Sequence, residues 1–234
     1  MVKRVAPVDE VVCRLEADGE VVQVFHCSPG RFEDLAAGWL LGAGVIAAGE
    51  PMAELRHAHA DGVDVVRARL HASQRARLAW SSPPPARAEA APRRASPPPF
   101  DEIPALFRQL YAEADRYHDT GGVHAAALFD CDRMVAHAED VGRHNALDRV
   151  VGQAARAGLP LERLGLVLSA RISGDMAQKA ARSGIAWIAS RSLPTTLAVE
   201  IARASAMPII ARAGTDAATA FGLAPRGTLP EDLA

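Results

Sequence analysis

The chain predicts an α/β protein: a helix-covered sheet in its second half, preceded by a smaller β-rich region with one helix. Three observations carry this. Beyond residue 120, short apolar runs at 123–129, 134–137, 164–168, 186–189 and 208–211 are joined by a hairpin turn and then by helix-spaced stretches, as in a mixed or parallel sheet with helices packed on it. Before residue 80, Asp18-Gly19 and Asp61-Gly62 each divide two β-rich runs, a strong hairpin signal. Between these regions lies SSPPPARAEAAPRRASPPP, residues 81–99, where repeated proline removes donors and disfavours helix. The expected division is therefore a β-rich subdomain at 1–80, a Pro-rich loop at 81–100, an α/β core at 101–214 and an irregular tail at 215–234.

In order, residues 11–15 and 21–27 form the first hairpin, and Ser28-Pro29-Gly30 turns the chain. Residues 32–42 follow as a helix with Leu35, Ala36, Trp39 and Leu40 on one face. Residues 55–59 and 63–70 form the second hairpin. The Pro-rich stretch reads on composition as an exposed linker. A helix is expected from Asp101 to about His118, then two strands about the turn at 130–133. The helix that follows runs to about Ala157, where Gly158-Leu159-Pro160 stops it. Helices at 174–182 and 194–204 separate the remaining short strands, with Pro194 placed in a first helical turn.

At 234 residues the chain is long enough to bury a substantial core, as one large domain or two small ones. A net charge of −2 gives no basic field for a nucleic acid. No apolar run has the length of a membrane span, and MVKRVAPVDE lacks the apolar core of a signal peptide. The three cysteines, Cys13, Cys27 and Cys131, form neither a disulfide framework nor a C-x-x-C clip. A cytoplasmic protein is the expectation.

Function-bearing residues concentrate in three loops. In an α/β sheet, ligands sit beyond the carboxyl ends of the strands, where the chain enters helices. EDVGRHNALD, residues 139–148, places Asp140, Arg143, His144, Asn145 and Asp148 at a helix start. Unpaired N–H groups and the positive end of the helix dipole suit an anion there, and Arg143 supplies a guanidinium fork. Ser169 to Asp175 adds Arg171, Ser173, Gly174 and Asp175, and the loop at 190–196 adds Ser190, Arg191, Thr195 and Thr196. Gly121, Gly122 and His124 are placed to line the same pocket. Each feature also has an ordinary reading. Ser and Thr before a helix are common caps, His124 suits a packed strand histidine, and Asp148 suits a structural salt bridge. Asp175 suits an N-terminal helix acid, and Lys179 a solvated helix face. Together the three loops favour an anionic, nucleotide-like ligand.

Four long motifs in order then carry a resemblance. TGGVHAAALFD (120–130), EDVGRHNALDRVVG (139–152), SARISGDMAQKAARSGI (169–185) and ASRSLPTTLAVEIA (189–202) resemble the formate dehydrogenase accessory sulfurtransferases, FdhD/NarQ. CSPGRFEDLAAGWLLGAGVI (27–46) is similar to that family's N-terminal signature. The resemblance implies a cytidine-deaminase-like α/β core, a cytoplasmic homodimer, and transfer of persulfide sulfur from a cysteine desulfurase to bis-molybdopterin guanine dinucleotide (Mo-bis-MGD) for formate dehydrogenase. This cofactor, or a guanine nucleotide, would be a bound ligand and not a redox group. The family's C-terminal cofactor-binding segment falls here on Ala211, Arg212, Ala213, Gly214, Thr215 and Asp216.

One departure bears on the chemistry. The family's sulfur-carrying C-G-x-C-G loop follows a Ser-Ser-like pair, and this chain reads Ser81-Ser82-Pro83-Pro84-Pro85-Ala86 there. Pro83 and Ala86 stand at the two cysteine positions, and neither can attack or carry sulfur as a thiolate does. The resemblance with this loss implies a catalytically impaired member that still binds the cofactor or a guanine nucleotide. The alternative is an active sulfurtransferase using a relocated thiol, Cys27 or Cys131. A zinc deaminase is rejected: His144 and His124 lack the H-x-E context and no C-x-x-C exists, so no metal site is expected.

Overall fold

The computed structural model describes residues 7–78 and 95–222. Strands β1 (Val11–Ala17) and β2 (Glu20–Cys27) form the first hairpin, and β3 (Glu54–Ala60) and β4 (Val63–Arg69) the second. Their turns use Asp18 and Gly19, then Asp61 and Gly62, all at positive φ, the backbone that matches a two-residue loop to strand twist. The hairpins join through a parallel β1–β4 pairing into a four-stranded sheet of order β2-β1-β4-β3. Helix α1 is Phe32–Gly42. Helix α2, Ala72–Leu78, was not among the expected elements; Ala, Gln, Arg and Leu are all strong helix formers.

The second sheet has six strands in the order β10-β9-β8-β7-β5-β6. These are β5 (His124–Asp130), β6 (Arg133–Asp140), β7 (Gly165–Leu168), β8 (Trp187–Ser190), β9 (Ile209–Ala211) and β10 (Thr219–Phe221). Strands β7, β8 and β9 are parallel, while β5, β6 and β10 run against their neighbours. The α/β class is thus shown. Strand β10 corrects the expectation of an irregular tail: it pairs with β9 and covers an edge that would otherwise present unpaired backbone.

The expected single helix from Asp101 divides into α3 (Ile103–Ala112) and α4 (Asp115–Thr120). Glu139 explains the break, since its carboxylate accepts from Arg116 N at 3.2 Å and Tyr117 N at 2.7 Å and caps the second helix. Next come α5 (Arg143–Arg156), α6 (Gly174–Arg182) and α7 (Thr196–Ala204). Pro194 lies outside α7, because Thr195 takes the cap position and accepts from Ala198 N.

Side-chain alternation places the six-stranded sheet between two apolar layers. Ala126, Leu128, Leu166 and Ile188 join a large core shared with Cys13, Leu15, Leu35, Leu40, Leu147 and Val150. Ala125, Ala127, Phe129, Val167 and Trp187 face Ile103, Leu106 and Leu110 of α3. The four-stranded sheet therefore shares its core with the larger one through α1. Close approach of α1 to α5 needs glycine twice: a Cβ on Gly38 would sit 1.7 Å from Asp148 O, and one on Gly152 1.9 Å from Asp34 O.

Candidate functional site

The register gathers the expected loops at one sheet edge. Strands β6, β7, β8 and β9 all end there, at Asp140, Leu168, Ser190 and Ala211, and antiparallel β5 begins there at His124 opposite Asp140. Helices α5, α6 and α7 start from the same edge behind Gly142, Ser173 and Thr195. Three helix N-termini consequently converge, each with orphan N–H groups and a positive dipole end.

Arg143 and His144 open α5. Arg143 Nε is buried and meets no acceptor among the described residues. Half-buried His124 sits within the field of Arg143; burial first, and that positive charge second, lower its pKa. His144 Nε2 lies 3.3 Å from Asp175 Oδ2 and links the first turns of α5 and α6. Burial holds the His144 pKa below its ordinary value against the pull of Asp175, so the ring is largely neutral at pH 7. Arg171, Asp175, Arg191 and Thr196 are exposed along this edge.

Several expected site residues are engaged within the protein. Asp140 is fully buried: its Oδ1 accepts from Gly142 N and Asn145 Nδ2, its Oδ2 from Ser28 N and Arg149 Nε. Asn145 also donates to His26 O at 2.7 Å. Asp140 and Asn145 therefore order the loop. Ser190 is buried, donating to Ala170 O and accepting from Ser192 N. Ser173 and Thr195 act as helix caps. Gly121 provides the left-handed exit from α4, and exposed Gly122 N donates to Thr120 Oγ1. The segment from Ala211 to Asp216 lies against the β8 loop, with Ala213 N donating to Ser190 O at 2.9 Å and Arg212 N to Ser192 O at 3.4 Å. Arg212, Gly214, Thr215 and Asp216 are exposed, and Thr215 Oγ1 donates back to Arg212 O.

Two inward-facing charges, one of them fully buried, escaped the sequence reading. Arg149 lies inside the apolar stripe of α5, where periodicity alone expects an aliphatic residue, yet it bonds Asp140 and three loop carbonyls. Lys179 corrects the solvated-face expectation: its side chain is 12% exposed and its Nζ lies 2.5 Å from Asp148 Oδ2, beneath the helix start. Burial lifts the Asp148 carboxyl to about 6, with Lys179 pulling the other way. The folded state thus holds that proton more tightly than the unfolded chain. The resulting stability is complete below about pH 4 and is lost as pH rises through about 6. Asp148→Asn removes this titration. Denaturant unfolding at several pH values should show a smaller loss of stability across that window than in the parent protein; equal losses would refute the assignment.

Comparison with known proteins gives this arrangement its relatives. The sequence model described as the FdhD/NarQ family matches residues 8–226. The chain belongs to the FdhD/NarQ family. The sulfur carrier protein FdhD of Streptomyces coelicolor is 42% identical over 125 residues, covering 53% of this chain and 43% of that protein. Its Mycobacterium tuberculosis counterpart is 41% identical over 130 residues, covering 55% and 47%. The matched stretch spans less than half the length of these curated relatives. A solved structure from Desulfotalea psychrophila, assigned as a formate dehydrogenase accessory protein, superposes with a TM-score of 0.74 at 24% identity, covering 93% of this chain and 88% of that one. That likeness shows a shared fold.

Against the FdhD pattern the thiols are informative. Pro83 and Ala86 lie outside the described residues. Cys27 is fully buried at the end of β2, and burial pushes its thiol up to about 11. Cys131 is exposed in the β5–β6 turn. That is the opposite end of β5 from His124, about 20 Å along a seven-residue strand. Among the described residues no group of three or more His, Cys, Asp or Glu is placed to hold a metal ion. No described helix is long and apolar enough to cross a membrane.

Proposed function

We propose that this chain is an accessory protein of formate dehydrogenase maturation. It holds the guanine-nucleotide part of Mo-bis-MGD as bound cargo and carries no persulfide sulfur. The observation that carries this reading is Arg143. Its buried Nε has no acceptor in the described protein, and a buried polar group without a partner calls for one. A phosphate at the converging helix starts would supply that acceptor and meet the positive dipole ends. In this reading Arg143 grips the phosphate and His144, steadied by Asp175, presents a neutral ring beside it. Exposed Arg171, Arg191, Thr196 and the segment from Arg212 to Asp216 supply further contacts.

Loss of sulfur chemistry follows from the thiols. Sulfur transfer needs an accessible thiolate. The resemblance to the family puts proline and alanine, Pro83 and Ala86, at the cysteine positions, and the Cys27 thiol is buried and held protonated at neutral pH. The exposure of Cys131 is the one observation favouring a relocated carrier, and its place on the far end of β5 disfavours it. The family relationship brings the remaining proposals: a cytoplasmic homodimer acting with formate dehydrogenase and a cysteine desulfurase.

Calorimetric titration with GDP tests the binding half. The parent protein is expected to bind, and Arg143→Ala to weaken binding about tenfold or more, as loss of a charge-assisted hydrogen bond does. Absence of binding, or equal affinity in the variant, would overturn the reading.

A further inference from the structure

Beneath the converging helix starts lie two charges that the phosphate reading leaves unused. On α5, Asp148 stands four residues after His144; on α6, Lys179 stands four residues after Asp175. That spacing is about one helical turn, so each helix presents both of its members on one face. Two cross-helix pairs result, one above the other. The upper pair, His144 Nε2 to Asp175 Oδ2 at 3.3 Å, is open to solvent. The lower pair, Lys179 Nζ to Asp148 Oδ2 at 2.5 Å, is enclosed.

The lower pair is sealed but incomplete. Asp148 Oδ1 is buried and meets no donor among the described residues, and an ionised carboxylate with an empty oxygen is costly inside a protein. Helix α1 closes the floor with glycines: a Cβ on Gly38 would meet Asp148 O at 1.7 Å, and one on Gly42 would meet Lys179 Cγ at 2.9 Å. The buried acid of α1, Asp34, is held by Arg31 and Arg156. The charges that reach Asp148 are Lys179 and Asp175 of α6 and Asp140 of β6. Those that reach His144 are Asp175, Arg143, Lys179 and His124. The two pairs therefore feel one another, and the lower one sits about a turn behind the groups offered to an anion.

We propose that Asp148 and Lys179 are positioning residues that couple the anion site to a proton. With the pair ionised, its charges cancel. With a proton on Asp148 Oδ1, taken from water, the Lys179 charge is left uncompensated behind the α5 and α6 starts and the anion is held more tightly. Departure of the anion returns the proton. The sign follows from linkage: an added negative charge favours the protonated carboxyl, so protonation favours the anion by the same factor. Because the Asp148 carboxyl titrates at about 6, affinity rises as pH falls through that value. The inference rests on the phosphate reading of Arg143 and adds to it a means of release.

Calorimetric titration with sulfate tests this, because sulfate keeps both of its charges across the range in which Asp148 and His144 titrate. The full chain should bind sulfate about fivefold or more tightly at about pH 5.5 than at about pH 8, a coupling of ordinary size. Asp148→Asn leaves Lys179 uncompensated at every pH. It should bind at about pH 8 at least about fivefold more tightly than the parent and lose most of the pH dependence. A pair that only holds the helices together predicts the reverse, weaker binding in the variant. If Asp148→Asn fails to fold, as judged by circular dichroism, His144→Gln decides: its side chain is partly exposed, and the tightening at low pH should persist without the imidazole. Weaker or parent-like binding in folded Asp148→Asn, a parent profile flat with pH, or loss of the tightening in His144→Gln would overturn the inference. So would failure of the parent to bind sulfate; only failure to bind GDP as well would also overturn the proposed function.

Discussion

Replacing Arg149 with methionine is expected to destabilise the protein by about 3–5 kcal/mol, the usual cost of removing one partner from a buried ion pair. The guanidinium is 5% exposed and Asp140 is 0% exposed, with Nε and Oδ2 2.7 Å apart. Its terminal nitrogens reach the carbonyls of Ser28, Gly30 and Arg31. Methionine fills much of the space but leaves the Asp140 charge and those carbonyls short of donors. Asp140→Asn should cost a comparable amount, and the double variant less than the sum, because neither charge is then stranded. Thermal unfolding checks this. A melting temperature lowered by less than about 3 °C in Arg149→Met would contradict it, since a domain of this size loses roughly 2–4 °C per kcal/mol. The functional consequence is local: this network ties the loop after β2 to the start of α5, so its loss should loosen the turn that presents Arg143.

Gly38→Ala should also destabilise the protein, by a different route. The added Cβ would meet Asp148 O at 1.7 Å, and neighbouring backbone atoms at 2.5 and 2.8 Å. Backbone cannot swing aside as a flexible side chain does, so α1 and α5 must separate. Overpacking of this kind costs about 1–3 kcal/mol and more where backbone moves. Helix propensity favours alanine by about 1 kcal/mol and offsets only part of the loss. Gly19→Ala provides a contrast: it has positive φ but an open surround, so its cost is conformational strain alone, about 1 kcal/mol. Chemical denaturation should therefore rank Gly38→Ala well below Gly19→Ala. Equal stabilities would show that the helices are not held at this distance.

Local signals in the sequence reached far into this structure. Two Asp-Gly turns, the apolar face of α1, the bounds of α6 and the strand–helix alternation after Asp140 are encoded by neighbouring residues. Non-local pairings were not legible: the parallel match of β1 with β4, the capping of α4 by Glu139, and the addition of β10 to β9. Each depends on segments that meet only after folding. The candidate site divides along the same line. The rule that ligands lie beyond strand carboxyl ends brought Arg143, Arg171 and the β8 loop into one region. It could not show that Asp140 and Ser190 would spend their polar atoms internally. Nor could it show that Lys179 would turn inward to Asp148.

The most direct test of a cofactor binder without sulfur chemistry is intact-protein mass spectrometry after incubation with a cysteine desulfurase and free cysteine. The account predicts an unchanged mass, under conditions in which a homologue with the C-G-x-C-G loop gains sulfur. An added sulfur that maps to Cys27 or Cys131 would contradict it and show that the family chemistry has moved to another thiol.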